Sequence, residues 1–238
     1  MKKLVVVFLL SALSSPSFAQ DVNPSAWWLY NGRYDLNDSW FLNTELHFRF
    51  TDGFGTFQQF LFRPQISYVL NPHFTFSFGY TYIHNYPYGA EPVPIDFGEH
   101  NVWEEVMIQH TLASLKLSHR LRMEHRWQEE IFVSEVGAYS KDGFTYGNRF
   151  RYRLTLEQPL GTGPWSVVVY DEVFFVTNQF LVPQGVNQNW LFLSAKYKIS
   201  DRLAIQTGWQ QQYLKLASGS TQQNPTWLTA VHLRIPHK

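Results

Sequence analysis

Residues 115 to 127 read Leu115-Lys116-Leu117-Ser118-His119-Arg120-Leu121-Arg122-Met123-Glu124-His125-Arg126-Trp127. Leu115, Leu117, Leu121, Met123 and Trp127 share one parity. Lys116, Ser118, Arg120, Arg122, Glu124 and Arg126 share the other. Residues 149–157 repeat the pattern, with Phe150, Tyr152, Leu154 and Leu156 alternating against Arg149, Arg151, Arg153 and Glu157. Period two is the signature of a strand, whose successive side chains point to opposite faces. One face is aromatic and aliphatic, the other ionic. Carried around a closed sheet, this pattern predicts an antiparallel, up-and-down transmembrane β-barrel with a lipid-facing exterior and a polar lumen.

Eleven strand-like segments follow one another: 26–34, 40–50, 57–70, 74–86, 99–112, 115–127, 147–158, 165–176, 188–199, 203–214 and 226–235. Their lengths suit tilted membrane-crossing strands. Short connections at 35–39, 71–73, 113–114, 161–164 and 200–202 interleave with longer ones at 51–56, 87–98, 128–146, 177–187 and 215–225. Outer-membrane barrels have short periplasmic turns and longer outer loops, and single-chain bacterial ones have even strand numbers. The expectation is therefore about twelve strands, with ten as the fallback and an extra strand sought near Asp21–Ala26.

The first 19 residues have the form of a cleaved signal peptide. Lys2 and Lys3 precede a short apolar run from Leu4 to Leu13, and Ser17-Phe18-Ala19 offers a small-x-small site before Gln20. The run is too short to cross a bilayer as a helix. Residues 20–238 are then a single barrel domain. Without Lys2 and Lys3, 17 basic residues face 19 acidic ones, so no basic excess points to nucleic acid. There is no cysteine, which excludes disulfides and thiol catalysis. Aromatic residues make up 18% of the chain, and aromatics gather at membrane interfaces. Trp40, Trp127, Trp165 and Trp227 lie near strand ends and form the expected girdle. Aromatic-rich soluble β-proteins also place Trp there. A soluble periplasmic ligand-binding barrel, with apolar faces turned inward, is accordingly an alternative.

Arg49, Arg63, Arg120, Arg122, Arg126, Arg149, Arg151 and Arg153 fall inside predicted strands. At midplane an Arg or Lys facing lipid costs about 2–4 kcal/mol, so these side chains are expected to face inward. Glu45, Glu104, Glu105, Glu124, Glu157 and Glu172 supply strand-borne carboxylates to interleave with them. Arg120, Arg122, Arg149, Arg151 and Arg153 are expected near Glu124, Glu157 and either Glu104 or Glu105. Such a ladder either stiffens a narrow barrel or selects solutes as a charged constriction. Nine histidines are present, but no spacing nominates a catalytic set, a metal site or a cofactor site. His119 and His125 share the apolar parity and, near strand ends, are expected to be interfacial rather than catalytic. The loops 87–98 and 128–146 are candidate lids or plugs.

Four blocks resemble a family of uncharacterised bacterial outer-membrane proteins, DUF2490: residues 118–127, residues 148–154, Tyr170-Asp171-Glu172-Val173-Phe174-Phe175, and the region of Trp28, Trp40 and Glu45. The resemblance implies an outer-membrane barrel, and supplies no activity, substrate or catalytic residue. One departure stands out. Outer-membrane barrels commonly end in an aromatic residue, whereas this chain ends Leu233-Arg234-Ile235-Pro236-His237-Lys238.

The expectation is a narrow pore or structural barrel of the outer membrane, in contact with lipid and the barrel-assembly machinery, with small solutes as its candidate permeants. An outer-membrane enzyme acting on lipid or lipopolysaccharide is the alternative of a different class.

Overall fold

The computed structural model describes residues 21–89, 91–177, 181–216 and 218–237. The segment read above as a signal peptide lies outside the described residues. A two-residue stub, β1 (Asp21–Val22), is followed by eleven long strands: β2 (Ser25–Asp35), β3 (Trp40–Thr51), β4 (Thr56–Asn71), β5 (Phe74–Asn85), β6 (Phe97–Leu112), β7 (Leu115–Val133), β8 (Tyr139–Pro159), β9 (Trp165–Thr177), β10 (Pro183–Lys198), β11 (Leu203–Lys215) and β12 (Thr221–Ile235). Each long strand pairs antiparallel with the next, and β12 pairs with β2 to close the barrel. No α-helix occurs among the described residues; a 3-10 turn spans Asp52–Phe54.

The strand count departs from the expected twelve. The segment sought near Asp21–Ala26 is β1, which pairs with β12 in parallel just ahead of β2 on the same partner. It is the start of the first strand, broken at Asn23-Pro24, and not a separate crossing. Eleven is odd, so the last strand runs in the same direction as the first. The closing ladder is parallel, from Thr226↔Ser25 to Ile235↔Tyr34.

The five tight connections all lie at one end, and three share one device. Asn37 Oδ1 accepts from the backbone N–H of Ser39 and Trp40, both at 2.9 Å. Asn71 Oδ1 does the same for His73 and Phe74, and Ser200 Oγ for Arg202 and Leu203. Asn and Ser side chains that mimic a backbone turn reverse the chain in few residues. At the other end the region 128–146, read from sequence as a loop, is mostly strand. β7 continues to Val133 and β8 begins at Tyr139, so this hairpin reaches past its neighbours.

The alternation sorts side chains as the quoted stretch requires. Phe48, Phe62, Phe76, Phe78, Leu193 and Trp209 are exposed on the outside. Arg49, Arg63, Glu105, Arg122, Glu124 and Arg151 are buried. The barrel thus carries large apolar side chains on its outer surface and buries its ionic side chains inside.

Candidate functional site: the barrel lumen

Inside the barrel, register alone would set like charges against each other. Arg122 lies opposite Arg151, and Arg120 opposite Arg153, on the paired strands β7 and β8. Facing like charges destabilise a sheet. Glutamates from β6, β7 and β9 relieve them. Glu172 receives Arg120 Nη2 at 2.5 Å and Arg151 Nε at 2.8 Å, with Arg153 Nε at 3.2 Å. Glu124 takes Arg149 Nε at 2.6 Å and Arg151 Nη1 at 2.7 Å. Glu105 accepts from Arg122 Nε at 2.7 Å. Arg126 grips Glu99 with two parallel bonds of 2.8 and 2.7 Å. Arg63 Nη1 reaches Glu45 at 2.6 Å. The planar guanidinium fork makes these charge-assisted contacts short and directional.

A buried tryptophan supports the network. Trp103 is fully buried and donates Nε1–H to Thr81 Oγ1 at 2.9 Å. The Arg122 guanidinium lies 3.9 Å over its ring, a cation–π contact. The ring can lie there because residue 79 is glycine. A Cβ at Gly79 would sit 2.2 Å from the Trp103 ring.

The residues expected to form a lumen ladder do not all enter one network. Arg63, Arg120, Arg122, Arg126, Arg149, Arg151 and Arg153 each have a glutamate partner, drawn from Glu45, Glu99, Glu105, Glu124 and Glu172. Glu105 is the inward member of its pair. Glu104 is exposed on the outside, with its Oε1 3.5 Å from His125 Nε2. Glu157 pairs with Lys116 and Lys196 instead of an arginine. Arg49 has no carboxylate within ion-pair distance among the described residues; its Nη1 donates to Gln59 Oε1 at 2.7 Å. Glu99 went unnamed at the sequence level although it lies in a predicted strand.

All four girdle tryptophans face outward. Trp40 and Trp165 stand at the short-turn end, against Tyr68 and Tyr197. Trp127 packs against Tyr146 in the longer half, and Trp227 lies opposite Trp209. His119 also faces outward, stacked on His110 and bonded to the Tyr152 hydroxyl at 2.9 Å.

The lumen has a second wall that the sequence pattern did not reveal. Trp27, Tyr170, Phe192, Leu228 and Ala230 form a buried apolar cluster, with Leu29 and Trp190 against it. These residues come from β2, β9, β10 and β12, beside the parallel seam. Between the apolar and ionic walls lies a cavity of about 520 Å³. Its lining runs from Tyr88, Glu91 and Val93 at the long-loop end to Glu157, Gln206 and His232 near the short turns. The loop after β5 therefore folds into the mouth. Gly89, at φ +79°, approaches so closely that a Cβ there would lie 2.8 Å from Gln222 Oε1 on β12.

A family model described as "Protein of unknown function (DUF2490)" matches residues 25–224. No curated protein matches the chain. Among solved structures, a NanC porin in a rhombohedral crystal form is similar at 10% identity, covering 84% of this chain and 90% of that one, with a TM-score of 0.45.

Proposed function

We propose the following for this chain, which belongs to the DUF2490 family: it is a narrow outer-membrane barrel that passes small solutes and prefers anions. The observation that carries the reading is the charge imbalance beside the cavity. Six arginines line it, Arg49, Arg63, Arg126, Arg149, Arg151 and Arg153, against five glutamates, Glu45, Glu91, Glu99, Glu157 and Glu172, and Glu157 is already held by Lys116 and Lys196. A lumen wall with excess fixed positive charge attracts anions and repels cations. The ion-pair network occupies one side, and the cavity of about 520 Å³ leaves passage along the other. Tyr88 and its loop narrow the outer mouth.

Membrane residence is supported by the outer surface. Large apolar side chains such as Phe76, Phe78, Leu193 and Trp227 are exposed around the barrel. A soluble monomer rarely exposes so much contiguous apolar surface. On this reading the N-terminal segment directs export and is removed after Ala19.

The test is a planar bilayer with a salt gradient across it. Purified barrel should give small unitary currents, with a reversal potential displaced toward anion selectivity. Cation selectivity would contradict the charge argument. Absence of any current from correctly folded protein would leave the ion pairs with a purely structural role.

A further inference from the structure

We propose that the lumen contains a binding site for small amphipathic carboxylates. Arg49 takes the carboxylate, and the wall formed by Trp27, Trp190 and Leu228 takes the apolar body. The inference rests on the solute-passing reading above and names the class of solute.

Three observations converge on this site. First, Arg49 stands apart from the other seven arginines of the lumen. It is only 7% exposed, yet no carboxylate lies within ion-pair distance among the described residues. A buried charge without a counterion is costly, and an incoming anion removes that cost. Second, the guanidinium is held in place. Its Cζ lies 3.7 Å over the Trp27 ring, and Nη1 is bonded to Gln59. Trp27 is itself fixed by its Nε1–H to Gln58 Oε1, at 3.1 Å. Third, Arg49 Nε, Trp190 Nε1 and Gln210 Nε2 on the cavity lining are buried donors with no hydrogen-bond acceptor among the described residues, as is Arg153 Nε, which however lies 3.2 Å from the Glu172 carboxylate. Buried donors are nearly always satisfied, so their clustering beside one cavity marks a place for an acceptor-rich group.

The wall selects what accompanies the carboxylate. Trp27 and Trp190 meet edge to face at 5.4 Å, and Phe192, Leu228 and Ala230 continue the surface. An apolar wall with a few fixed donors is the usual composition of a small-molecule site. A bare inorganic anion would leave it unused. A neutral ring would leave Arg49 unanswered.

The experiment is isothermal titration of the refolded full-length barrel in detergent micelles. The probes are benzoate, its neutral counterpart benzamide, and acetate, which lacks the ring. Benzoate should bind at least about tenfold more tightly than either, because a charged hydrogen bond and an apolar contact each contribute on that scale. Arg49→Gln should remove most of the preference for benzoate over benzamide. Arg202→Gln, in an exposed turn, should leave it unchanged. Equal binding of benzoate and benzamide to wild type would overturn the proposal without any variant, so failure of Arg49→Gln to fold does not protect it. Benzoate binding that survives Arg49→Gln in a folded barrel would overturn it as well. Titration needs no current. Binding by a non-conducting barrel would refute only the pore reading, and a conducting barrel blind to benzoate would refute only this one.

Discussion

Replacing Glu172 by glutamine tests whether the lumen arginines are held by charge or merely by packing. Glutamine preserves shape and one acceptor but removes the negative charge shared by Arg120, Arg151 and Arg153. Arg151 keeps Glu124 at 2.7 Å, and Arg120 keeps only a 3.6 Å contact with Glu105. Arg153 loses its one carboxylate among the described residues, though it is the most exposed of the three and relaxes partly toward water. Removing one partner of a buried pair costs about 3–5 kcal/mol. The expected loss lies in that range, near its lower end, since two of the three cations retain a partner. Glu157→Gln is the comparison. Its contacts to Lys116 and Lys196 are partly exposed, which limits them to about 0–1 kcal/mol. The assay is equilibrium urea unfolding of barrels refolded into lipid vesicles, followed by tryptophan fluorescence. Adding Arg153→Gln to Glu172→Gln should recover more than about 1 kcal/mol as coupling between neighbours. If Glu172→Gln costs no more than Glu157→Gln, the ion-pair account of the lumen is wrong.

Three further outcomes follow from the geometry. Gly79→Ala should destabilise by about 1–3 kcal/mol in the same assay, because the fully buried Trp103 ring has no room for a Cβ at 2.2 Å; an unchanged unfolding midpoint would mean that Trp103 moves freely. Single cysteines replacing Leu121 and Tyr152 should react with a lipid-soluble thiol reagent, and those replacing Arg122 and Arg151 with a water-soluble one. The reverse labelling would rule out the transmembrane arrangement. Arg122→Ser combined with Arg151→Ser should raise single-channel conductance and weaken anion preference, since two positive charges leave the lumen; recordings identical to wild type would show that the permeation path avoids the network.

The strands were legible because the arginines are. Charged residues at alternate positions mark the inner face, and β7 and β8 supply three arginines each. The apolar inner wall was not legible for the same reason reversed. On β9, inward Val168, Tyr170 and Phe174 alternate with outward Val167, Val169, Val173 and Phe175, so both parities are largely apolar, and the adjacent charges Asp171 (outward) and Glu172 (inward) mark neither face. The upper hairpin was missed because Ile131, Phe132 and Val133 are apolar in succession, with no alternation to betray a strand. The parallel closure has no local signature, since it joins residues about two hundred positions apart.

That closure separates the two ends of the barrel's own chain. In an even-stranded meander the first and last strands run oppositely, and their outer ends meet at one rim. Here β2 and β12 run together. The strand that opens the barrel enters at the long-loop rim, and the strand that completes it leaves at the short-turn rim. A short peptide cannot join them, so circular permutation of this barrel requires a linker that traverses its full height. In the proposed membrane orientation, a tag placed just ahead of β1 would face the cell exterior while one placed after β12 would face the periplasm. Protease shaving of intact cells would remove the first tag and spare the second.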